Sequence, residues 1–185
     1  MKRILQTYHF FLLLVFASLP HSLKAQQYSE IELKAAYLYN FTFFVEWPPQ
    51  TTHKNYFTIG VYKDEDMYII LSEMLRGRKA QNVPIKIIEI KQLEDAAKTD
   101  LLYFGKKVTD NELKDMMNVI SHKPVLTVGN EIEDFCLKGG IINFRAEYFK
   151  KRFAINNEKA LSLGLKISSK LLVLSKIINT HENRF

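Results

Sequence analysis

The chain has 185 residues, with 26 Lys or Arg, 20 Asp or Glu and one Cys. This length suits a single domain whose core needs no disulfide or metal to be stable. Three of the six net positive charges, on Lys2, Arg3 and Lys24, precede position 26, and subtracting them leaves a net charge of +3. The remaining cations are scattered among acidic residues, which disfavours a nucleic-acid-binding protein. A lone cysteine excludes an intrachain disulfide.

The first 25 residues have the pattern of a secretory signal. Lys2 and Arg3 precede an apolar run over 10–16, and we expect cleavage after Ala25. The run is too short to span a bilayer, and no other stretch approaches the roughly 20 apolar residues that a crossing needs. We therefore predict a signal peptide over 1–25 and an exported domain over 26–185.

The mature chain opens with an aromatic stretch, KAAYLYNFTFFVEWP, at 34–48. Ser29 and Glu32 form a capping-box pattern, and Pro48 prevents a helix from continuing, so we predict a helix to about Trp47. Its apolar stripe should pack on a sheet as core, and consists of Leu33, Tyr37, Phe41, Phe44 and Val45. A second set points to other faces and consists of Tyr39, Phe43, Glu46 and Trp47. This set is either buried elsewhere or presents an aromatic surface to a partner.

Strand and helix patterns alternate through the middle of the chain. Strands are predicted at 56–62, 84–90, 100–104 and 124–128, with helices at 64–75, 93–98 and 109–120. This alternation predicts a largely parallel sheet with helices on both faces. Two later strands, at 140–144 and 151–155, are too close for a crossover helix and should form an antiparallel edge hairpin, followed by helices over 157–163 and 168–178. The prediction is one three-layer α/β domain with about six strands.

Motifs for catalysis or cofactor binding are weak. The glycines form no phosphate loop and the histidines are isolated, so we expect neither a cofactor nor a metal. Ser168, Ser169 and Lys170, behind Lys166, pair hydroxyls with an amine, but serines at a helix start also cap backbone N–H groups. An enzyme would need Ser168, Lys170 or Cys136 to meet a base in a cleft, and we expect no enzymatic activity.

Two further features have alternative interpretations. Gly139 and Gly140 form a permissive turn before a strand that carries Asn143 and Arg145. The turn either fits a tight corner or presents Arg145 for recognition. Cys136 is expected to be a small buried apolar residue, with a reactive or intermolecular thiol as the alternative.

Three segments together resemble one family. They are KAAYLYNFTFFVEWP, then PVLTVGN with DFCLKGGIINF, then FAINNEKALSLGLKISSKLLVLSKII. They resemble the YfiR family of exported bacterial proteins over about 30–178. The resemblance implies a periplasmic, non-enzymatic α/β domain that represses a membrane-bound diguanylate cyclase by binding its periplasmic sensor region. It also implies a disulfide near the GG turn, where Cys136 lies, but without a second cysteine only an intermolecular bridge is left.

The expected partner is an inner-membrane signalling protein, either a diguanylate cyclase or a sensor kinase, and a homodimer is left open. The candidate contact residues are Tyr39, Phe43, Glu46, Trp47, Gly139, Gly140, Asn143, Arg145, Lys166, Ser168, Ser169 and Lys170. The alternative is a periplasmic small-molecule binding module that reports to a sensor kinase or transporter. Its pocket would lie at the carboxyl ends of the parallel strands, with Gly60, Gly105 and Gly129 at the rim.

Overall fold

The computed structural model describes residues 29–49, 55–146 and 152–179, and the predicted signal at 1–25 lies outside them. Within the described residues the chain forms six helices and ten strands. The helices are α1 (Glu30–Phe44), α2 (Glu65–Met74), α3 (Leu93–Ala96), α4 (Asp110–Val119), α5 (Asn157–Ser162) and α6 (Ser169–Val173). The strands are β1 (Val45–Glu46), β2 (Phe57–Tyr62), β3 (Lys79–Ala80), β4 (Val83–Glu89), β5 (Leu101–Phe104), β6 (Leu126–Asn130), β7 (Ile142–Phe144), β8 (Phe153–Ile155), β9 (Lys166–Ile167) and β10 (Ser175–Ile177).

Eight strands form one sheet in the order β10-β8-β7-β6-β5-β2-β4-β3. Neighbouring strands are parallel except in the β7–β8 and β3–β4 pairs, which are antiparallel. The β7–β8 register pairs Ile142 with Ile155 and Phe144 with Phe153. The predicted parallel sheet with a C-terminal antiparallel hairpin is therefore confirmed, and the short strands β3 and β10 extend it beyond the predicted six.

Alternating residues of the central strands feed two separate cores. Leu101 and Tyr103 of β5 face the layer that contains α1 and α2. Leu102 and Phe104 face the opposite layer, where they pack with Leu113 of α4. Because successive side chains of a strand point to opposite faces, this division places helices on both sides of the sheet, as predicted. The fold is a three-layer α/β domain.

The start of α1 is built as the sequence predicts. The Ser29 hydroxyl accepts a hydrogen bond from the backbone N–H of Glu32, and the Glu32 carboxylate accepts one from the backbone N–H of Ser29 at 2.8 Å. These contacts with Ser29 lower the pKa of Glu32. The reciprocal pair satisfies two backbone donors that the first helical turn leaves unpaired, which defines where the helix begins.

The end of α1 differs from the prediction, because the helix stops at Phe44 rather than near Trp47. Val45 is extended, with φ −121° and ψ 134°, and pairs with Ile167 in a two-stranded ribbon of β1 and β9. A β-branched residue suits that conformation, and the ribbon supplies its hydrogen-bond partner from more than 100 positions away along the chain. The periodicity of the sequence around Val45 cannot predict a pairing with such a distant residue, so the predicted helix was too long.

The predicted apolar stripe of α1 is also rotated from its expected position. Phe41 and Val45 are buried as expected, whereas Leu33, Tyr37 and Phe44 are only half-buried. The deeply buried positions of the helix are Lys34, Ala35, Leu38, Phe41 and Thr42. The aromatic residues at 37 and 44 still pack against the edge of the same core.

Phe41 lies at the centre of a group of aromatic rings that joins α1 to the β7–β8 hairpin. Its ring centroid lies 5.4 Å from that of Phe153 and 6.1 Å from that of Phe144. Tyr37 meets Phe153 edge to face at 4.8 Å and 83°. Edge-to-face and offset rings add a specific interaction to the burial of their apolar area.

The predicted last helix over 168–178 is wrong in its second half. The helix α6 ends at Val173, and Ser175–Ile177 form β10, which pairs in parallel with β8. The backbone N–H of Ile178 donates to the Ile155 carbonyl at 2.8 Å. The edge of β8 thus gains hydrogen-bond partners. These bonds with a distant segment stabilise the strand more than the local helical pattern would stabilise a helix.

Replacing Phe41 by Ala should lower the free energy of unfolding by about 3–5 kcal/mol, because the side chain is fully buried among aromatic rings. Phe43→Ala on the same helix is the matched control, since the Phe43 side chain is 59% exposed. The control should change stability by about 0.5 kcal/mol or less. Urea unfolding followed by circular dichroism measures both, and equal effects of the two substitutions would contradict the packing described above.

Candidate functional site

The C-terminal end of α1 presents an exposed aromatic side chain. Phe43 is 59% exposed and meets Tyr39, one helical turn earlier, edge to face at 5.0 Å and 81°. Tyr39 is half-buried and packs against the core, so it supports Phe43 from beneath. The pair forms an exposed aromatic projection at the end of the helix.

A trough lies beside Phe43, open to solvent and with a volume of about 530 Å³. Its lining residues are Thr42, Phe43, Lys79, Gln81 and Asn82. Gln81 and Asn82 form the turn between β3 and β4, with positive φ values of 49° and 67°. The Gln81 side-chain amide donates to the Thr42 carbonyl at 2.7 Å, which ties the turn to the end of α1. A hydrogen bond therefore joins the two elements that line the trough, the β3–β4 turn and the end of α1.

The structure brings the 166–170 turn next to the end of α1, although 120 positions separate Glu46 from Lys166, its partner in the register. The backbone N–H of Ser168 donates to the Phe44 carbonyl at 2.8 Å. Glu46, Lys166, Ser169 and Lys170 are exposed. The predicted contact residues near the end of α1 and those in the 166–170 turn thus lie at one edge of the molecule. This is the edge at which the parallel strands begin.

Trp47 does not belong to an exposed patch. It is 8% exposed, its indole N–H donates to the Asp100 carbonyl at 3.2 Å, and its ring meets Phe57 edge to face at 5.0 Å. The Asp100 carboxylate in turn accepts from the Thr58 backbone N–H at 2.8 Å. Trp47 is an anchor that fixes the chain after β1 against the start of the sheet. Because its side chain is buried, Trp47 has a structural role and is not available to contact a partner.

The GG turn is a packing feature. Gly139 has φ 98°, and a side chain at Gly140 would overlap the Phe135 ring, so both positions require glycine. The Asn143 amide donates to the Ile132 carbonyl at 2.7 Å and accepts from the Ile132 N–H at 3.2 Å. These contacts hold Asn143 within the domain and favour the tight-corner interpretation over a recognition role.

Arg145 lies at the other end of α1 from Phe43. It lines a cleft of about 20 Å³ whose other lining residues are Glu30, Leu33, Lys34, Tyr37, Phe144 and Arg152. This volume holds about one water molecule, which is too little for an organic ligand. The structure therefore places Arg145 at the opposite end of α1 from the predicted contact residues Tyr39, Phe43 and Glu46.

Cys136 is buried, with 4% of its surface exposed, and its sulfur lies 3.6 Å from the carbonyl oxygens of both Ile141 and Ala154. Burial raises the pKa of the thiol to about 12. A protonated, inaccessible thiol is a poor nucleophile, so this position argues against the intermolecular bridge considered from the sequence. The expectation of a small buried residue is confirmed.

The residue that sequence reasoning missed is Lys34, a lysine only 8% exposed on the sheet-facing side of α1. Its ammonium group donates to Asn130 Oδ1 at 2.8 Å, to Glu131 Oε1 at 2.7 Å and to Glu30. Burial alone would raise the pKa of Glu131, but hydrogen bonds from Lys34 and Lys106 outweigh it and lower that pKa. The spacing of Glu30 and Lys34 gives a local signal for one ion pair. Asn130 and Glu131, at the end of β6, are almost 100 positions away, and the sequence gives no local signal for their contacts with Lys34.

The Lys34 contacts continue along the carboxyl edge of the sheet. The Tyr103 hydroxyl donates to Asp64 Oδ2 at 3.0 Å. Asp64 Oδ1 accepts from the Met67 N–H at 3.1 Å and so caps α2. The Lys34 network, which we define as the hydrogen-bonded pairs Lys34–Asn130 and Tyr103–Asp64, therefore lies at the edge where a ligand pocket would be expected in such a sheet.

The three glycines proposed for a ligand rim do not form one. Gly60 lies inside β2 and Gly129 inside β6, and both are buried against side chains. Only Gly105 follows its strand, and there it is pressed against the Lys63 carbonyl. In the described part of the chain, no cluster of three or more His, Cys, Asp or Glu side chains is placed to hold a metal. No helix among those residues is long and apolar enough to cross a membrane.

The fold and its surfaces define a three-layer α/β domain with a filled carboxyl edge and an exposed aromatic trough at the opposite edge. The chain belongs to the YfiR/HmsC-like family, whose model matches residues 31–176. The resemblance seen in the three sequence segments is thereby confirmed. A search of curated proteins gave no match to this chain.

Replacing Lys34 by Met should destabilise the domain by about 2–4 kcal/mol, because it leaves the buried Asn130 Oδ1 without its donor and removes one of the two lysines that pair with Glu131, the other being Lys106. Lys114→Met, on the exposed side of α4, is the control and should change the free energy of unfolding by about 0.5 kcal/mol or less. Urea unfolding measures both values.

The Lys34→Met effect should also depend on pH. Glu131 has a pKa below its usual 4.5, so its contribution is complete above that pH and is lost as the pH falls through the lowered pKa. The stability difference between the wild type and Lys34→Met should therefore narrow as the pH falls below 4.5. A difference that is constant from pH 7 to the acid transition would contradict the role of the ion pair.

Proposed function

We propose that the mature chain is a periplasmic regulator that binds the extracytoplasmic part of an inner-membrane signalling protein. The signalling protein is a diguanylate cyclase, which the chain represses, so that cyclic-di-GMP falls. Membership of the YfiR/HmsC-like family supports this proposal. The structural observation that carries it is Phe43, exposed beside an open trough on a rigid helix end.

A protein partner fits this surface better than a small molecule does. The trough is wide and open, whereas pockets for small ligands enclose most of the ligand surface. Exposed aromatic side chains on a firm support are the residues that contribute most to protein interfaces. The opposite edge, where the alternative proposal would place a small ligand, is occupied by the Lys34 network and its cleft has a volume of only about 20 Å³.

We also propose that the protein has no enzymatic activity. The hydroxyl of Ser168 accepts a hydrogen bond from the Lys170 backbone N–H at 3.3 Å, which is the capping role of a serine at a helix start. The Lys170 side chain is exposed, and the Cys136 thiol has a raised pKa. None of these groups is activated in a way that nucleophilic catalysis requires.

Repression follows from differential binding. A regulator that binds the inactive form of a cyclase more tightly than the active form shifts the equilibrium towards the inactive form by that difference in binding free energy. Each 1.4 kcal/mol of difference changes the ratio of the two forms about tenfold. One well-packed aromatic anchor contributes about 2 kcal/mol or more to an interface, so loss of Phe43 would release most of the repression.

Deleting the gene in the source bacterium should raise cyclic-di-GMP, and a chromosomal copy of the wild type should restore the low level. Phe43→Ala should restore it poorly although the domain stays folded, because the substitution removes an exposed side chain. Leu137→Ala is the matched control, since Leu137 is 38% exposed and lies in the turns before the GG motif. Mass spectrometry of nucleotide extracts measures the result. Unchanged cyclic-di-GMP after deletion would contradict the proposal.

A further inference from the structure

The connection between α2 and β3 carries three cations within four residues. Arg76, Arg78 and Lys79 are all exposed, and Gly77 between them has φ 72°, which turns the chain out of α2. The backbone N–H of Arg78 donates to the Leu75 carbonyl at 3.0 Å. The connection is therefore a defined turn that displays its cationic side chains.

The end of this turn reaches the trough beside Phe43 at Lys79, with Arg76 and Arg78 just before it in the chain. Lys79 lines the trough together with Thr42 and Phe43. Lys79 pairs with Pro84 in the β3–β4 hairpin, and the Ile85 N–H donates to the Arg78 carbonyl at 3.1 Å. The hairpin thus fixes the cationic turn relative to the exposed ring.

The three cations differ from several other surface lysines in being available for a partner. Lys63, Lys98 and Lys138 each form an ion pair with a nearby carboxylate. Among the described residues, Arg76, Arg78 and Lys79 have no such ion pair. The last turn of α2 adds one exposed acid, Glu73, and β1 adds Glu46, so the three cations leave this turn with a net positive charge.

We propose that the trough binds an acidic segment of the partner protein, with an apolar side chain seated against Phe43 and carboxylates facing Arg76, Arg78 and Lys79. This inference rests on the proposed function and adds the chemistry of the partner. The apolar contact supplies affinity, while the cations speed association and select an acidic partner. Arginine suits this role because its guanidinium group binds a carboxylate through two parallel hydrogen bonds.

A protein segment fits the trough better than an anionic lipid surface. The site is concave and its lining includes Asn82, whose side-chain amide can hydrogen-bond a peptide backbone, and Gln81, whose side-chain carbonyl can accept a hydrogen bond while its amide N–H groups donate to the end of α1. A bilayer surface favours a broad apolar face with cations around it. A single exposed ring above a polar trough does not provide that face.

The test measures binding of the purified mature chain to inner-membrane vesicles prepared from the deletion strain. The double charge reversal Arg76→Glu with Arg78→Glu should weaken binding about tenfold or more, and wild-type binding should fall as salt rises. The matched control reverses Lys107 and Lys114, two exposed lysines away from the trough, and should weaken binding less than about twofold. Thermal melts establish that all variants fold, and Arg76→Gln with Arg78→Gln provides a milder second variant with an intermediate loss.

Three outcomes would overturn the inference. They are equal losses in the test and control variants, binding that salt does not affect, and equally strong binding to protein-free liposomes of phosphatidylethanolamine and phosphatidylglycerol. Failure of the proposed function is distinguishable, because deletion would then leave cyclic-di-GMP unchanged. If deletion raises cyclic-di-GMP and the charge-reversed protein restores it fully, only the inference about the acidic segment fails.

Discussion

The packing of α1 across the sheet is the interaction on which the rest of the structure depends. Phe41 packs against Phe144 of β7 and Phe153 of β8, so α1 covers the β7–β8 hairpin. At one end, Lys34 joins the helix to β6, and just beyond the other, Trp47 joins the chain to the start of β5. Most aromatic side chains of this segment therefore pack in or against the core. Phe43 is the one that is largely exposed and can contact a partner.

Fixing α1 at both ends makes the two edges of the sheet chemically different. The carboxyl edge is occupied by the Lys34 network, in which Lys34 donates to Asn130 and Tyr103 donates to Asp64. The opposite edge carries the exposed Phe43 and the trough. A domain of this fold class usually binds ligands at the carboxyl edge. Because the Lys34 network lies at that edge here, the opposite edge with Phe43 is the better candidate for the interaction surface.

Local signals in the sequence predicted the elements well. The Ser29–Glu32 box and the alternating strands were visible because the interactions that produce them operate within a few residues. Contacts between distant segments were not visible. The β1–β9 ribbon shortened the first helix, pairing with β8 converted the last helical pattern into a strand, and the partners of Lys34 lie on β6. The same limit applied to the site, since exposure of Phe43 and burial of Trp47 depend on what packs around them.

The central claim, that Phe43 marks the surface by which this YfiR/HmsC-like protein meets a membrane signalling protein, is tested most directly by photo-cross-linking in living cells. A benzoylphenylalanine residue at position 43 is compared with the same residue at position 137. We expect a cross-link from position 43, and not from position 137, to an inner-membrane protein with an extracytoplasmic region and a diguanylate cyclase domain. A folded domain that cross-links from position 43 only to a second copy of itself, or to nothing, would contradict it.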